Sequence, residues 1–212
     1  MNKPLILVVE DDAPVRSLIT TTLRAHDYRF LSAANGESAI LEASSHNPDI
    51  MLLDLGLPDL DGVEVIHRVR TWSNLPIIVI SARSEDTDKI EALDAGADDY
   101  VPKPFRMMEL LSRIRALIRR AEGYNTLPES EEYHIDGLEL SPSRHLVRVN
   151  GQEIALTFKE FELLCLLVEN RGIVLSRDKI LDKVWQDTMG RESRTVDVHI
   201  RTLRHKLGTI GG

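Results

Sequence analysis

Leu5-Ile6-Leu7-Val8-Val9-Glu10-Asp11-Asp12 sets five aliphatic residues directly against three carboxylates. A short, unbroken apolar run suits a parallel strand buried on both faces, and the acids then fall where that strand ends. The pattern returns downstream. Ile50-Met51-Leu52-Leu53 runs into Asp54, Ile77-Ile78-Val79-Ile80 runs into Ser81, and Tyr100-Val101 is soon followed by Lys103. A further short strand is expected at 29–33. Helical spacing fills the intervals at 13–25, 36–45, 62–71, 86–95 and 107–121; in the first of these Val15, Leu18, Ile19 and Leu23 share one stripe. Five strands alternating with five helices predict a doubly wound parallel α/β sheet.

In such a sheet, ligands bind at the carboxyl ends of the strands. Glu10, Asp11, Asp12, Asp54, Ser81 and Lys103 all stand at those ends. Clustered carboxylates without cysteine or histidine suit a hard cation such as Mg²⁺. A carboxylate beside that ion can attack a phosphoryl group and form an acyl phosphate. A hydroxyl and an ammonium are suitable partners for the phosphoryl oxygens. Any one of these acids could be a solvated loop residue. Their shared register across the strands favours one crevice.

The chain has 212 residues, 42% of them hydrophobic and 28% charged, as in ordinary globular proteins. The single cysteine, Cys165, excludes an intrachain disulfide and fits a reducing compartment. It lies in an apolar run at 161–168 and is expected in a core. No stretch is apolar for the roughly 18 residues a membrane span needs. Met1-Asn2-Lys3-Pro4 does not begin a signal peptide, so a cytoplasmic protein is expected.

Net charge is −8, but it is unevenly spread. Residues 1–122 hold 14 Lys+Arg against 20 Asp+Glu, whereas the last 22 residues hold five against two, with His199 and His205. Composition changes at 123–132, where Gly, Asn, Pro, Ser and Glu replace the apolar pattern, as in a linker. Domains are therefore expected at 1–122 and 133–212. In the second, β runs are expected at 138–140, 146–149 and 154–156, with Asn150-Gly151 as a hairpin turn. Three helices follow. Thr157 with Glu160 forms a capping box for the first, Ser176 caps the second, and Ser193 or Arg194 opens the third, which ends at Gly208. On that last helix Val196, Ile200, Leu203 and Leu207 form the core stripe. Arg194, Val198, His199, Arg201, Thr202 and His205, with Thr195 beside them, form the opposite face. Such a face can read a DNA major groove, although a basic solvated helix has the same look.

Val9-Glu10-Asp11-Asp12, Asp54 with Pro58 and Asp61-Gly62, Ser81-Ala82, and Tyr100 before Lys103-Pro104-Phe105 resemble the signature of bacterial receiver domains, across nearly all of 1–121. The resemblance implies a CheY-like fold in which Asp54 accepts a phosphoryl group from a sensor histidine kinase. Glu10, Asp11, Asp54 and the backbone carbonyl of Gly56 would hold Mg²⁺. Ser81 and Lys103 would engage the phosphoryl oxygens, Lys103-Pro104 would be a cis peptide, and Tyr100 would turn inward as Ser81 moves. Thr157–Leu164, Val174-Leu175-Ser176-Arg177 with Val184-Trp185, and Arg194–Ile200 resemble the OmpR/PhoB winged helix, over about 133–208. That resemblance implies binding to double-stranded DNA, with Trp185 as a core anchor. It also implies a homodimer after phosphorylation, through Lys89–Glu109, Asp99–Arg113 and Asp98–Arg120 pairs around an apolar patch at Ile90 and Leu93. Ser112 stands where alanine is usual. The family continues past the recognition helix into a β-hairpin wing, whereas this sequence closes on Gly208-Thr209-Ile210-Gly211-Gly212, so a winged helix-turn-helix lacking its C-terminal wing is expected. Leu55-Gly56-Leu57-Pro58-Asp59, Trp72, and Ser81-Ala82-Arg83-Ser84-Glu85 with Asp88-Lys89-Ile90 resemble, more narrowly, the KdpE group of potassium-transport regulators. Two other readings compete: an acidic-pocket phosphatase or phosphotransferase, and a regulator working only through protein contacts.

Overall fold

A computed structural model describes residues 3–83, 85–124, 132–185 and 194–208; the side chains of 119–124 and 194 are not among those described. The chain forms two compact units, Met1–Ile118 and Arg119–Gly212.

In the first unit the order is β1 (Leu5–Val9), α1 (Ala13–Ala25), β2 (Arg29–Ala33), α2 (Gly36–His46), β3 (Ile50–Leu53), α3 (Gly62–Arg70), β4 (Ile77–Ser81), α4 (Asp86–Asp94), β5 (Asp99–Pro102) and α5 (Met107–Tyr124). The strands pair in parallel in the order β2-β1-β3-β4-β5. All four residues of β3 and all five of β4 are buried, because helices cover both faces of a doubly wound sheet. The edge strand β2 instead exposes Arg29 and Ser32. Side-chain oxygens start three helices: Asp12 accepts from Val15 N, Asn35 from Ser38 N and Asp61 from Val63 N. Gly62 is required by space: a Cβ there would lie 2.6 Å from Leu55 Cα and 2.7 Å from the Asp54 carbonyl oxygen. The loop after Asp54 can thus fold tightly back onto its own strand.

Helix α5 continues through the expected boundary at 122 and two residues into the stretch read as linker, while 125–131 lie outside the described residues.

The second unit begins with an antiparallel meander, β6 (Tyr133–Ile135), β7 (Leu138–Ser141), β8 (Leu146–Val149) and β9 (Gln152–Glu153). Asn150-Gly151 makes the expected hairpin turn, with φ of 50° and 80°. Asp136-Gly137 makes a second one, at 45° and 89°, which joins β6 to β7 and was not foreseen. These are the positive angles that a two-residue hairpin with the right twist demands. The strand expected at 154–156 lies earlier, at β9. Ile154 N still donates to Val147 O at 2.9 Å, but Leu156 has turned into the core ahead of the next helix.

That helix, α6 (Phe158–Glu169), carries the full capping box, with Thr157 N donating to Glu160 Oε2 at 2.8 Å. Ser176 caps α7 (Arg177–Ile180), which passes into a π-helical turn at Leu181–Trp185. Helix α8 (Arg194–Leu207) closes the described fold; Ser193 and residues 209–212, and with them the expectation about the wing, fall outside the described residues. Trp185 is 4% exposed and packs in the core with Phe161, Val196 and Leu203, as expected of an anchor. Cys165 is buried in the same cluster. No helix among the described residues is long and apolar enough to cross a membrane.

Candidate phosphoacceptor pocket and nucleic-acid interface

Strands β1 and β3 are neighbours, and the connections leaving them run to opposite sides of the sheet. Their carboxyl ends therefore open a crevice, and Glu10 and Asp54 stand at its two lips. Main-chain pairing continues one residue beyond β1 and β3: Asp54 N donates to Val9 O at 2.9 Å and Glu10 N to Ala33 O at 3.0 Å. Both carboxylates are thus fixed by the sheet. Glu10 is 1% exposed and Asp54 7%, while Asp11 faces solvent. Ligand oxygens of Glu10, Asp11 and Asp54 lie within 4.8 Å of one another.

Lys103 reaches this cluster from the end of β5. Its Nζ lies 2.7 Å from Glu10 Oε2 and 2.8 Å from Asp54 Oδ2. Its backbone N donates to Ser81 O at 2.7 Å, and the Lys103-Pro104 peptide is cis, as expected. The other Asp54 oxygen, Oδ1, accepts from Gly56 N at 3.2 Å. A Cβ on Gly56 would meet only that oxygen, at 3.9 Å, so the small residue leaves the pocket mouth open.

Burial is the main influence raising the Glu10 pKa, with help from the Asp54 charge, while the hydrogen bond from Lys103 pulls the other way. For Lys103, burial works against the cation. Hydrogen bonds to Asp54 and Glu10 outweigh it, and the lysine pKa ends above its ordinary value. Two of the three carboxylates, Glu10 and Asp54, therefore share one firmly held ammonium, and Asp11 has no part in it. That leaves an excess of negative charge, with oxygen as the sole donor type, which fits a hard divalent cation.

Ser81 is 1% exposed, and its Oγ accepts from Arg83 N at 3.1 Å. Tyr100 is already turned inward, 7% exposed, with its hydroxyl donating to the carbonyl of Arg83. Burial raises its pKa, so the phenol stays protonated as a donor. Asp12 is occupied as the cap of α1. Two arginines escaped the reading of the sequence. Arg16 donates to the carbonyls of Glu10 and Asp11, holding the acidic loop from the first turns of α1. Arg83 pairs with Asp61 at 2.6 Å. A cation one or two turns after the acidic triplet was the available sign of the first; the second spans 22 residues and left none.

The expected dimer face is only partly a surface. Leu93 is 3% exposed and belongs to the core, and Asp98 is 0% exposed. Asp98 Oδ2 accepts from Ile77 N at 2.8 Å and from Arg70 Nη2 at 3.1 Å, so it serves the fold of its own chain. Arg113 joins Asp99 at 3.2 Å and Glu109 at 2.6 Å within the chain. Lys89 and Ile90 are half-buried, and the Arg120 side chain lies outside the description.

The expected groove face of α8 also needs correction. Thr195, Val198 and His199 are 2%, 6% and 3% exposed. His199 Nδ1 lies 2.8 Å from Thr195 O, and its ring meets Trp185 edge-on at 5.0 Å. The helix is covered on two sides, so its free face is narrower than the core stripe implied. Arg201 and His205 are exposed and Thr202 is half-buried, and Arg204, not foreseen, is exposed beside them. Exposed Asp197 pairs with Arg177 at 2.8 Å and ties α8 to α7.

A two-unit chain of this kind, an α/β sheet with an acidic crevice and a β-meander with three helices, is the architecture of a DNA-binding response regulator. The family model of the response regulator receiver domain matches residues 6–115, and that of the transcriptional regulatory protein C-terminal domain matches 151–212. The chain belongs to this family, of the OmpR/PhoB type, whose members are regulators and not enzymes. It is 40% identical over 202 residues to the response regulator ArlR of Staphylococcus aureus, covering 95% of this chain and 90% of that one. A mutant of RitR superposes with a TM-score of 0.79 at 25% identity, over 100% of this chain and 92% of that one. DrrB of Thermotoga maritima, an OmpR/PhoB homolog, gives 0.54 at 28% identity, again over 100% and 92%.

Proposed function

We propose that Asp54 is the phosphoacceptor of a two-component transcriptional regulator. The observation that carries this reading is the Lys103 bridge, which draws Glu10 and Asp54 together at the ends of β1 and β3. Asp54 Oδ attacks the phosphorus of a kinase phosphohistidine; the P–O bond forms as the P–N bond breaks, and the imidazole leaves with a proton. Lys103 moves from carboxylate to phosphoryl oxygen, and Ser81 Oγ donates to another. A Mg²⁺ ion held by Glu10, Asp11, Asp54 and the Gly56 carbonyl would neutralise charge on the phosphoryl oxygens. The pocket's oxygen-only donors support that assignment.

With Mg²⁺ and acetyl phosphate, intact mass should rise by one phosphoryl group in the wild type and stay unchanged in Asp54→Asn. Equal uptake by the variant would remove Asp54 from its role.

For the response, the reading is a homodimer formed through α4, β5 and α5, with Lys89, Ile90, Asp99, Glu109 and Arg113 as the residues still placed to take part. Asp99, Glu109 and Arg113 would have to exchange partners within the chain for partners across the two-fold axis. DNA is read by α8 through Arg201, Thr202, Arg204 and His205. Arg201→Ala is expected to weaken binding to a selected direct-repeat site by about 1–3 kcal/mol, measured by fluorescence anisotropy. An unchanged affinity would take Arg201 out of the interface. A role in potassium-transport genes rests on sequence likeness alone, in the stretches around Asp54, Trp72, Ser81 and Lys89; binding of the phosphorylated protein to such promoters, against unrelated ones, tests it.

A further inference from the structure

Four hydrogen bonds converge on Arg83, from both sides of the pocket mouth. Its backbone N donates to Ser81 Oγ at 3.1 Å, and its carbonyl accepts from the Tyr100 hydroxyl. Its guanidinium reaches across the pocket mouth to Asp61 Oδ2 at 2.6 Å, and to the carbonyl of Leu55 at 3.4 Å. Leu55 directly follows Asp54, and Asp61 opens α3 by accepting from Val63 N through its other oxygen. The loop after β4 is thus tied to the loop after β3 by one side chain, while the main chain of the same residue holds both Ser81 and Tyr100.

We propose that Arg83 is a positioning residue: its bond to Asp61 tethers the loop carrying Ser81 and resists the movement of Ser81 that phosphoryl acceptance requires. This rests on the reading of Asp54 as phosphoacceptor. The physical reason is local. For Ser81 Oγ to donate to a phosphoryl oxygen on Asp54, the hydroxyl must swing toward β3. It then gives up its place as acceptor for Arg83 N, and the segment 81–83 must shift with it. A guanidinium fixed to Asp61 and Leu55 O opposes that shift. The tether is half exposed, at 36% and 43% for the two side chains, so its hold is modest and reversible.

The variants follow from the geometry. Asp61→Asn keeps the oxygen that caps α3 and removes the charge that faces Arg83. Arg83→Gln removes the cation and leaves the main-chain bonds. Each single variant is expected to take up phosphoryl groups from acetyl phosphate about two- to fivefold faster than the wild type, the range that an ion pair of this exposure can exert. The double variant should be no faster than the better single one, because both substitutions cut the same link. Arg83→Lys should return the rate toward that of the wild type, which a general loosening of the loop would not do. If Arg83→Gln is slower than the wild type, Arg83 is instead a ligand of the incoming phosphoryl group and the tether is wrong. If the two single effects multiply in the double variant, Arg83 and Asp61 act apart and the tether is also wrong. Failure of the wild type itself to gain a phosphoryl group would overturn the Asp54 reading, a result distinct from both.

Discussion

Replacing Asp98 with alanine lowers the unfolding free energy of the first unit by about 3–5 kcal/mol, the cost of removing one partner from a buried ion pair. The side chain is 0% exposed, and its Oδ2 serves Ile77 N and Arg70 Nη2 together. Arg70 also donates to the carbonyls of Gly96, Ser73 and Leu75, so the pair joins the end of α3 to the entries of β4 and β5. Alanine removes the acceptor of the Ile77 N–H at the start of a fully buried strand, and the negative charge beside Arg70. Asp98→Asn keeps an oxygen for Ile77 N and loses only the charge, so it should fall between alanine and the wild type. Urea denaturation followed by circular dichroism measures both. A loss below about 1 kcal/mol for alanine would mean that Asp98 is a surface residue after all.

The second unit weakens in mild acid. His145 stacks on Phe161 at a ring separation of 3.7 Å and on Phe158 at 5.8 Å, and burial lowers its pKa from 6.5 to about 4. The folded unit therefore binds fewer protons than the unfolded chain between those two values. Stability from this group is fully present above pH 6.5 and is lost progressively as the pH falls toward 4. The shift corresponds to about 3 kcal/mol as a ceiling, and about 2 kcal/mol once partial exposure of the ring is allowed for. Fluorescence of Trp185, buried in the same unit, follows the transition in urea at a series of pH values. His145→Asn tolerates the residue's positive φ of 51° and should flatten the pH dependence, at some cost in stacking. The same acid sensitivity in His145→Asn would assign the effect to another group.

The receiver half was legible because its strands are short, apolar and buried on both faces, so each ended at a residue the sequence itself marks: Glu10, Asp54, Ser81 and Lys103. Parallel pairing then left little freedom in where those side chains meet. The dimer face was not legible to the same degree. Asp98-Asp99 reads as an exposed acidic pair, and nothing local reveals that Arg70, 28 residues earlier, reaches back to bury the first of them. Helix α8 misled for a related reason. A single stripe of Val196, Ile200, Leu203 and Leu207 implies a helix covered on one side, whereas Trp185, arriving on a π-helical turn, covers a second side and buries His199. In the meander, Asp136-Gly137 carried a hairpin signal as plain as Asn150-Gly151. It was missed because the strand before it, Tyr133–Ile135, is only three residues long.

The central claim, that Asp54 alone receives the phosphoryl group, is tested most directly by trapping the acyl phosphate. Borohydride reduces an aspartyl phosphate to homoserine, and peptide sequencing then locates the converted residue. After phosphorylation in Mg²⁺, the account predicts homoserine at position 54 and aspartate unchanged at Asp11, Asp12 and Asp61. Homoserine at any of those three, with Asp54 intact, would contradict it.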